Sequence, residues 1–408
     1  MSERTKRLLI VIGFILSVIV IAYAIWAAFF RATPQTPAPE APQAQAPTGG
    51  ALTPSQTGRT PGAGEITPGG QALPSAAEVA GGGITKTTEL TTAPVADATL
   101  SGDGSGVNFY NDSDGKFYRI DATGNVTTLS NKEFPSVENV AWNKDAQKAV
   151  LEFPDGSNVV YDFDNETQVT LPQHWKDFEF SPTSDQIAAK SIGLDPNNRW
   201  LVTTNADGSN VRSIQELGDN ETKVQVNWSP NDQIVAFSDT AEGQGSIDRK
   251  MIIPIGKEHE NFKGLIVEGL GFQSQWSPDG KRLLYSVSGS YSNYRPLLWI
   301  VDGTSASMGD HRKSLSINTW VDKCAWAGIA TVYCAVPQGL PPNAGLQPKA
   351  FGTFPDAIYR IDVDSGSSAL VAIPNGEKTL SKLFVTNDQS VLYFTNLQTG
   401  NLESLKLK

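Results

Sequence analysis

The sequence predicts an all-β fold: a seven-bladed β-propeller of four-stranded antiparallel blades, preceded by one transmembrane helix and a disordered linker. Three observations predict it. One short phrase recurs along the chain, clearest as QWSPDGKRLLYS at Gln275–Ser286 and NWSPNDQIVAFS at Asn227–Ser238. Each copy reads as two short strands joined by a tight turn. Ahead of the repeats stand an apolar run and then a stretch with almost no bulky side chains.

Residues 1–7 are short and basic, with Arg4, Lys6 and Arg7 against Glu3. Leu8 to Phe30 is almost wholly apolar. As a helix, residues 8–30 would span about 34 Å at 1.5 Å per residue, enough for a hydrocarbon core of about 30 Å. The basic flank puts the N-terminus in the cytoplasm and the rest of the chain outside. The expectation is a single-pass signal-anchor with the lipid bilayer as partner of residues 8–30. The alternative is a cleaved signal peptide, because Ala22-Tyr23-Ala24 resembles a processing site before Ile25. The apolar run continues past that site to Phe30, which favours the anchor.

Residues 31–83 are rich in Pro, Gly, Ala and Thr, and no Phe, Trp or Tyr occurs between Arg31 and Asn108. Such a segment buries too little apolar surface to offset its ordering entropy, so a disordered linker is expected there. It serves either as a stalk or as an inert spacer.

The repeats occupy residues 84–408. Aligning the Trp of the phrase puts anchors at Leu100, Trp142, Phe180, Trp228, Trp276, Trp326 and Val385. In Ser-Pro-Asp-Gly, Pro fixes φ, Asp bonds locally and Gly accepts positive φ. A third strand is expected to end near Asp121, Asp162, Asn205, Asp302 and Asp362, and a fourth to follow. The last unit lacks a fourth strand at its C-terminal end. Thr85–Thr91 resembles one, so it is expected to complete the seventh blade and leave no open edge.

These residues resemble the TolB-like (WD-repeat-like) propeller repeat, chiefly in the units at Trp228 and Trp276. The resemblance covers about residues 84–408 and implies a propeller with an extracytoplasmic binding role. The α/β domain that precedes the TolB propeller has no counterpart here, so no TolB partner is carried over.

Spacing locates the face open to function. From third-strand end to the next anchor the distance is nearly constant, 18 to 24 residues, whereas from anchor to third-strand end it runs from 20 to 36. The variable part is the connection between strands two and three. The long ones are Ser191–Arg199, Asp239–Lys250, Ser288–Arg295 and Pro337–Asp356. They carry Arg199, Arg249, Tyr291, Tyr294, Arg295, Phe351 and Phe354 as candidate binding residues, since exposed aromatics and Arg dominate many interfaces. Otherwise these are tolerated surface loops whose aromatics cover blade ends.

Cys324 and Cys334 flank Trp326 on one hairpin with its turn near Ile329, and a cross-strand disulfide is expected, worth roughly 2–3 kcal/mol in the entropic model. The other reading is two separately buried thiols. His174, His259 and His311 form no spaced pair, and no nucleophile elbow, phosphate loop or zinc pattern occurs. No cofactor, no metal and no catalytic residue is assigned. Asn111–Gly115 resembles a calcium loop but lacks a distal Glu, and reads as a hairpin turn.

The first 31 residues carry +3 and residues 32–83 carry −2, so of the formal −11 the remainder, 84–408, holds −12. That balance disfavours phosphate contacts, and no nucleic acid is expected as partner. The expected function is binding or scaffolding in the cell envelope, with a protein, peptide or glycan as ligand. The alternative is an envelope polysaccharide hydrolase or lyase with carboxylates in the propeller channel.

Overall fold

A computed structural model describes residues 16–17, 19–21, 23 and 75–408, apart from 242, 246, 247 and 352. Residues 16–17, 19–21 and 23 are helical and exposed, and among the described residues no helix is long and apolar enough to cross a membrane. The expected span at 8–30 and linker at 31–83 lie largely outside the described residues.

Residues 84–406 form seven sheets in a ring. Blade I is built of Val95–Leu100, Gly106–Asn111, Lys116–Asp121 and Val126–Thr128, paired antiparallel in that order. Blades II to V begin at Asn139, Trp175, Val224 and Leu270 and repeat the order. Blade VI runs Cys324–Trp326, Thr331–Pro337, Asp356–Asp362 and Ser368–Pro374. Blade VII runs Leu380–Val385, Val391–Asn396 and Leu402–Lys406. The third strands end at Asp121, Asp162, Asn205, Asp302 and Asp362, as the turn residues predict.

The second strand of each blade is sandwiched between neighbouring blades, so its side chains are buried on both faces. Ile234–Ser238 and the 282–288 strand are almost continuously apolar or small for that reason. Outermost strands such as Val126–Thr128 are exposed and polar. Seven apolar clusters fill the seven gaps between blades. The blade IV–V gap holds Phe237, Ile252, Phe272 and Trp276, and the blade VII–I gap holds Val107, Phe109, Tyr393 and Leu402. The anchors serve these gaps: Trp228 is 1% exposed. Burying one such side chain contributes about 1.5–3 kcal/mol.

The turn from first to second strand is braced alike in several blades. In blade V the Ser277 hydroxyl donates to Asp279 at 2.7 Å and accepts from the Arg282 N–H at 3.0 Å, with Gly280 at φ +66°. Ser101 with Asp103, Ser229 with Asn231 and Thr386 with Asp388 repeat this brace in blades I, IV and VII.

Ring closure differs from the expectation in one respect. Thr87–Glu89 pairs antiparallel with Leu402–Lys406 as the fourth strand of blade VII. Ile84–Thr85 instead pairs parallel with Ile373–Pro374, adding a fifth strand to blade VI. One segment thus serves two blades, because Lys86 stands where the path crosses the gap. The chain engages the ring still earlier: the Ala80 N–H donates to Lys406 O and the Gly82 N–H to Val371 O.

Cys324 and Cys334 pair directly across the first two strands of blade VI and form a disulfide. Both are buried in the blade V–VI gap.

Candidate functional site

Strand direction puts the connections between strands two and three on one face, together with the starts of the inner strands. The four long connections run 193–198, 239–248, 289–295 and 338–355 between their strands. Three of them are tied to one another. Tyr294 of the blade V loop donates its hydroxyl to Asp248 of blade IV at 3.1 Å. Arg295 Nε donates to Leu340 O of blade VI at 2.7 Å. The Gly345 N–H donates to Tyr294 O at 2.9 Å. Gly345 is required at that contact: a Cβ there would lie 1.9 Å from Ser288 Oγ. The blade VI loop is therefore seated on blade V. Its own small core of Trp320, Leu340 and Ala344, with Phe354 against it, holds it in place.

Beneath that loop lies a cavity of about 570 Å³. The starts of the inner strands supply its floor, through Gln225 of blade IV, Gly271, Phe272 and Gln273 of blade V, and Leu380 and Ser381 of blade VII. Trp320, Asp322 and Lys323, which lead into blade VI, form one wall, and Pro348, Lys349 and Thr353 of the loop form the cover. The lining is mostly apolar with a few polar groups, the usual make-up of a small-ligand or side-chain site. A second hollow of about 200 Å³, lined by Asp97, Gln275, Asp322 and Lys382, adjoins it among the inner strands, and Asp322 belongs to both.

The charges of the site are sorted by partner. Lys323 is 6% exposed and its Nζ lies 2.9 and 2.7 Å from the carboxylate oxygens of Asp356, itself 2% exposed. Asp356 also accepts from the Leu380 N–H at 2.7 Å, joining blades VI and VII. Lys382 of blade VII reaches Asp97 of blade I at 2.6 Å. Asp97 accepts from the Val140 N–H of blade II at 2.8 Å as well. Asp322 is exposed at the cavity, with protein packed on its inner side. That packing raises its carboxyl above the usual range, against a smaller pull from Lys323. Burial also raises Glu179, half-buried on the inner strand of blade III, to about 7, although the Trp228 N–H bonds to it. Glu152 of blade II rises to about 7 through burial first and the nearby Asp177 charge second.

The residues singled out from the sequence meet different fates. Tyr294 and Arg295 brace one loop against another, and Phe354 packs on the small core of its own loop. Arg199 is anchored within blade III, its Nε on Gly193 O at 3.1 Å and its guanidinium on Glu221 at 3.1 Å. Tyr291 is 45% exposed and stands edge-on to Trp299. Arg249 is exposed at the start of its strand. Phe351 ends the short helix Pro348–Phe351, and its side chain lies outside the described residues. Phe272, Gln273, Trp320, Asp322 and Lys349, which line the cavity, were not singled out. Apart from Lys349 they sit at or just before inner-strand starts, where nothing in spacing distinguishes them.

No family model and no curated protein matches this chain. Solved structures do match it. An oligogalacturonate lyase in complex with manganese aligns with 79% of this chain and 93% of its own at 14% identity, with a TM-score of 0.56. The oligogalacturonate lyase of Vibrio parahaemolyticus covers the same shares at 11% identity and a TM-score of 0.55. Hydrazine synthase of Kuenenia stuttgartiensis aligns over 78% of this chain and 96% of its own at 16% identity, with a TM-score of 0.52. At such identities the likeness shows the propeller fold alone. Among the described residues no group of three or more His, Cys, Asp or Glu is placed to hold a metal ion.

Proposed function

We propose that this chain is a binding propeller of the cell envelope, held at the membrane by residues 8–30 and taking a protein, peptide or glycan segment into the loop-face cavity. The apolar run with its basic flank supports the anchor, and the TolB-like repeat supports an extracytoplasmic head. The cavity carries the binding assignment. It is the place where the longest inserted loop, fixed by Gly345 and the Trp320 core, covers the inner ends of four blades. A pre-formed cover of this kind lowers the ordering cost of binding.

A photo-crosslinking residue placed at Thr353 of the full chain in its native membrane should give discrete adducts. The same residue at Asp279, on the turn face, should give none. Equal labelling at both positions would remove the case for the cavity.

A second reading rests on Glu152 and Glu179, carboxyls held near neutrality on adjacent blades and suited to general acid chemistry. Under it the head is a polysaccharide hydrolase or lyase. Turnover of oligosaccharides by the purified chain, lost in Glu152→Gln or Glu179→Gln, would establish it.

A further inference from the structure

We propose that the loop-face cavity receives a basic side chain of a peptide, lysine or arginine, with the cation at Asp322 and the methylene stem along Phe272 and Trp320. The inference rests on the reading of this cavity as the ligand site and names what enters it.

Asp322 is placed for such a cation. It lines both the 570 Å³ cavity and the adjoining 200 Å³ hollow. The cations around it are already used. Lys323, its chain neighbour, turns into the buried pair with Asp356 at 2.7 Å, and Lys382 of the hollow pairs with Asp97 at 2.6 Å. Asp322 is exposed and makes no ion pair among the described residues, and its carboxyl is raised by the protein packed on its inner side. An entering ammonium or guanidinium would supply the missing charge.

The walls fit the rest of the side chain. Phe272 and Trp320 are aromatic residues of the lining with a small edge exposed, 6% and 8%, along which an unbranched stem and a cation near its end can lie. Gln225 spends its Nε2 on Phe272 O at 2.8 Å, which leaves its amide oxygen as an acceptor. The stretch 84–408, at −12, favours cationic over anionic ligands. Lys349 of the covering loop lines the same cavity and acts against a basic ligand there.

The test uses the full chain in detergent and fluorescent hexapeptides that differ in one central residue: Lys, Arg, norleucine or Glu. Fluorescence anisotropy should show Lys and Arg binding roughly tenfold or more tighter than norleucine, with Glu weakest. Asp322→Asn should erase the advantage, Asp322→Glu should retain most of it, and Lys349→Gln should tighten the Lys peptide slightly. Thr353→Trp, which fills the cavity, should abolish binding of all four. If norleucine matches Lys, or Asp322→Asn changes nothing, while Thr353→Trp still abolishes binding, the cation assignment is wrong and the cavity reading stands. If a glucosamine oligomer outcompetes the Lys peptide, the peptide assignment is wrong. If no probe binds, or binding is indifferent to Thr353→Trp, the proposal fails together with the reading of the cavity.

Discussion

The two faces of the ring are held by different kinds of contact. On the turn face four blades share a local brace, a Ser or Thr hydroxyl bonded to an Asp or Asn two residues on, at Ser101, Ser229, Ser277 and Thr386, beside contacts between neighbouring turns such as Asn387 Nδ2 to Asp103 O at 3.2 Å. On the loop face the contacts run between blades. Asp356 holds Lys323 and the Leu380 N–H, Arg295 holds Leu340, and Tyr294 holds Asp248. A contact made within five residues can be repeated along a sequence. A contact made over 24 to 46 residues depends on the particular pair of blades it joins. The hydroxyl brace of the turn face is therefore modular, whereas the ties of the loop face are particular to the blades they join.

Four perturbations sharpen or break that contrast. The largest effect is expected where the two ends of the ring meet. Deleting residues 84–92 removes the fourth strand of blade VII and the fifth of blade VI, and should abolish the cooperative melting transition; an unchanged calorimetric trace would show that the closure is dispensable. Next is Asp356→Ala, which leaves Lys323 charged and unpaired in a dry site. A loss of about 3–5 kcal/mol is expected by denaturant titration, and a loss below 1 kcal/mol would mean that the loop face does not depend on this link.

The third is Glu179→Gln. The folded carboxyl titrates near 7, above its ordinary 4.5, so the folded chain keeps a proton that the unfolded chain has released. That contribution is complete below about 4.5 and is lost as pH rises towards 7. The variant should keep the Trp228 contact through its amide oxygen and flatten the decline. At pH 8 it should be more stable than the parent by on the order of 1–3 kcal/mol. A parallel pair of stability–pH curves would refute the burial of Glu179. The smallest is Ser277→Ala, expected to cost about 1 kcal/mol. Combined with Ser101→Ala the two losses should add within about 0.5 kcal/mol. Coupling beyond that would contradict the modular reading of the turn face.

The same contrast explains what could be read from residues alone. The anchors, the third-strand ends and the limits of the four long loops follow from local chemistry: Pro and Gly at turns, Asp at strand ends, alternation between them. The split of the closing segment at Lys86 does not, because Ile84–Thr85 and Thr87–Glu89 look like one strand until two blades compete for them. Tyr294 and Arg295 look like free interface residues, since nothing local reveals Asp248 or Leu340 across the gap. Asp322 carries no mark at all: its distinction is that neighbouring cations are taken, which depends on Asp356 and Asp97 far along the chain.

The closing segment has one mechanical consequence. From Ala77 to Glu89 the chain is laced over the rims of blades VI and VII, and this is also the stretch through which everything upstream is attached. Tension on the N-terminal side is thus delivered to the seam, where Thr87–Glu89 pairs with Leu402–Lys406 to close blade VII. The first bonds to bear the load are the short pairs at Ala77, Ala80 and Gly82, which can yield before the strands behind them do. The propeller hangs by its own clasp, with a frayed safety length ahead of it.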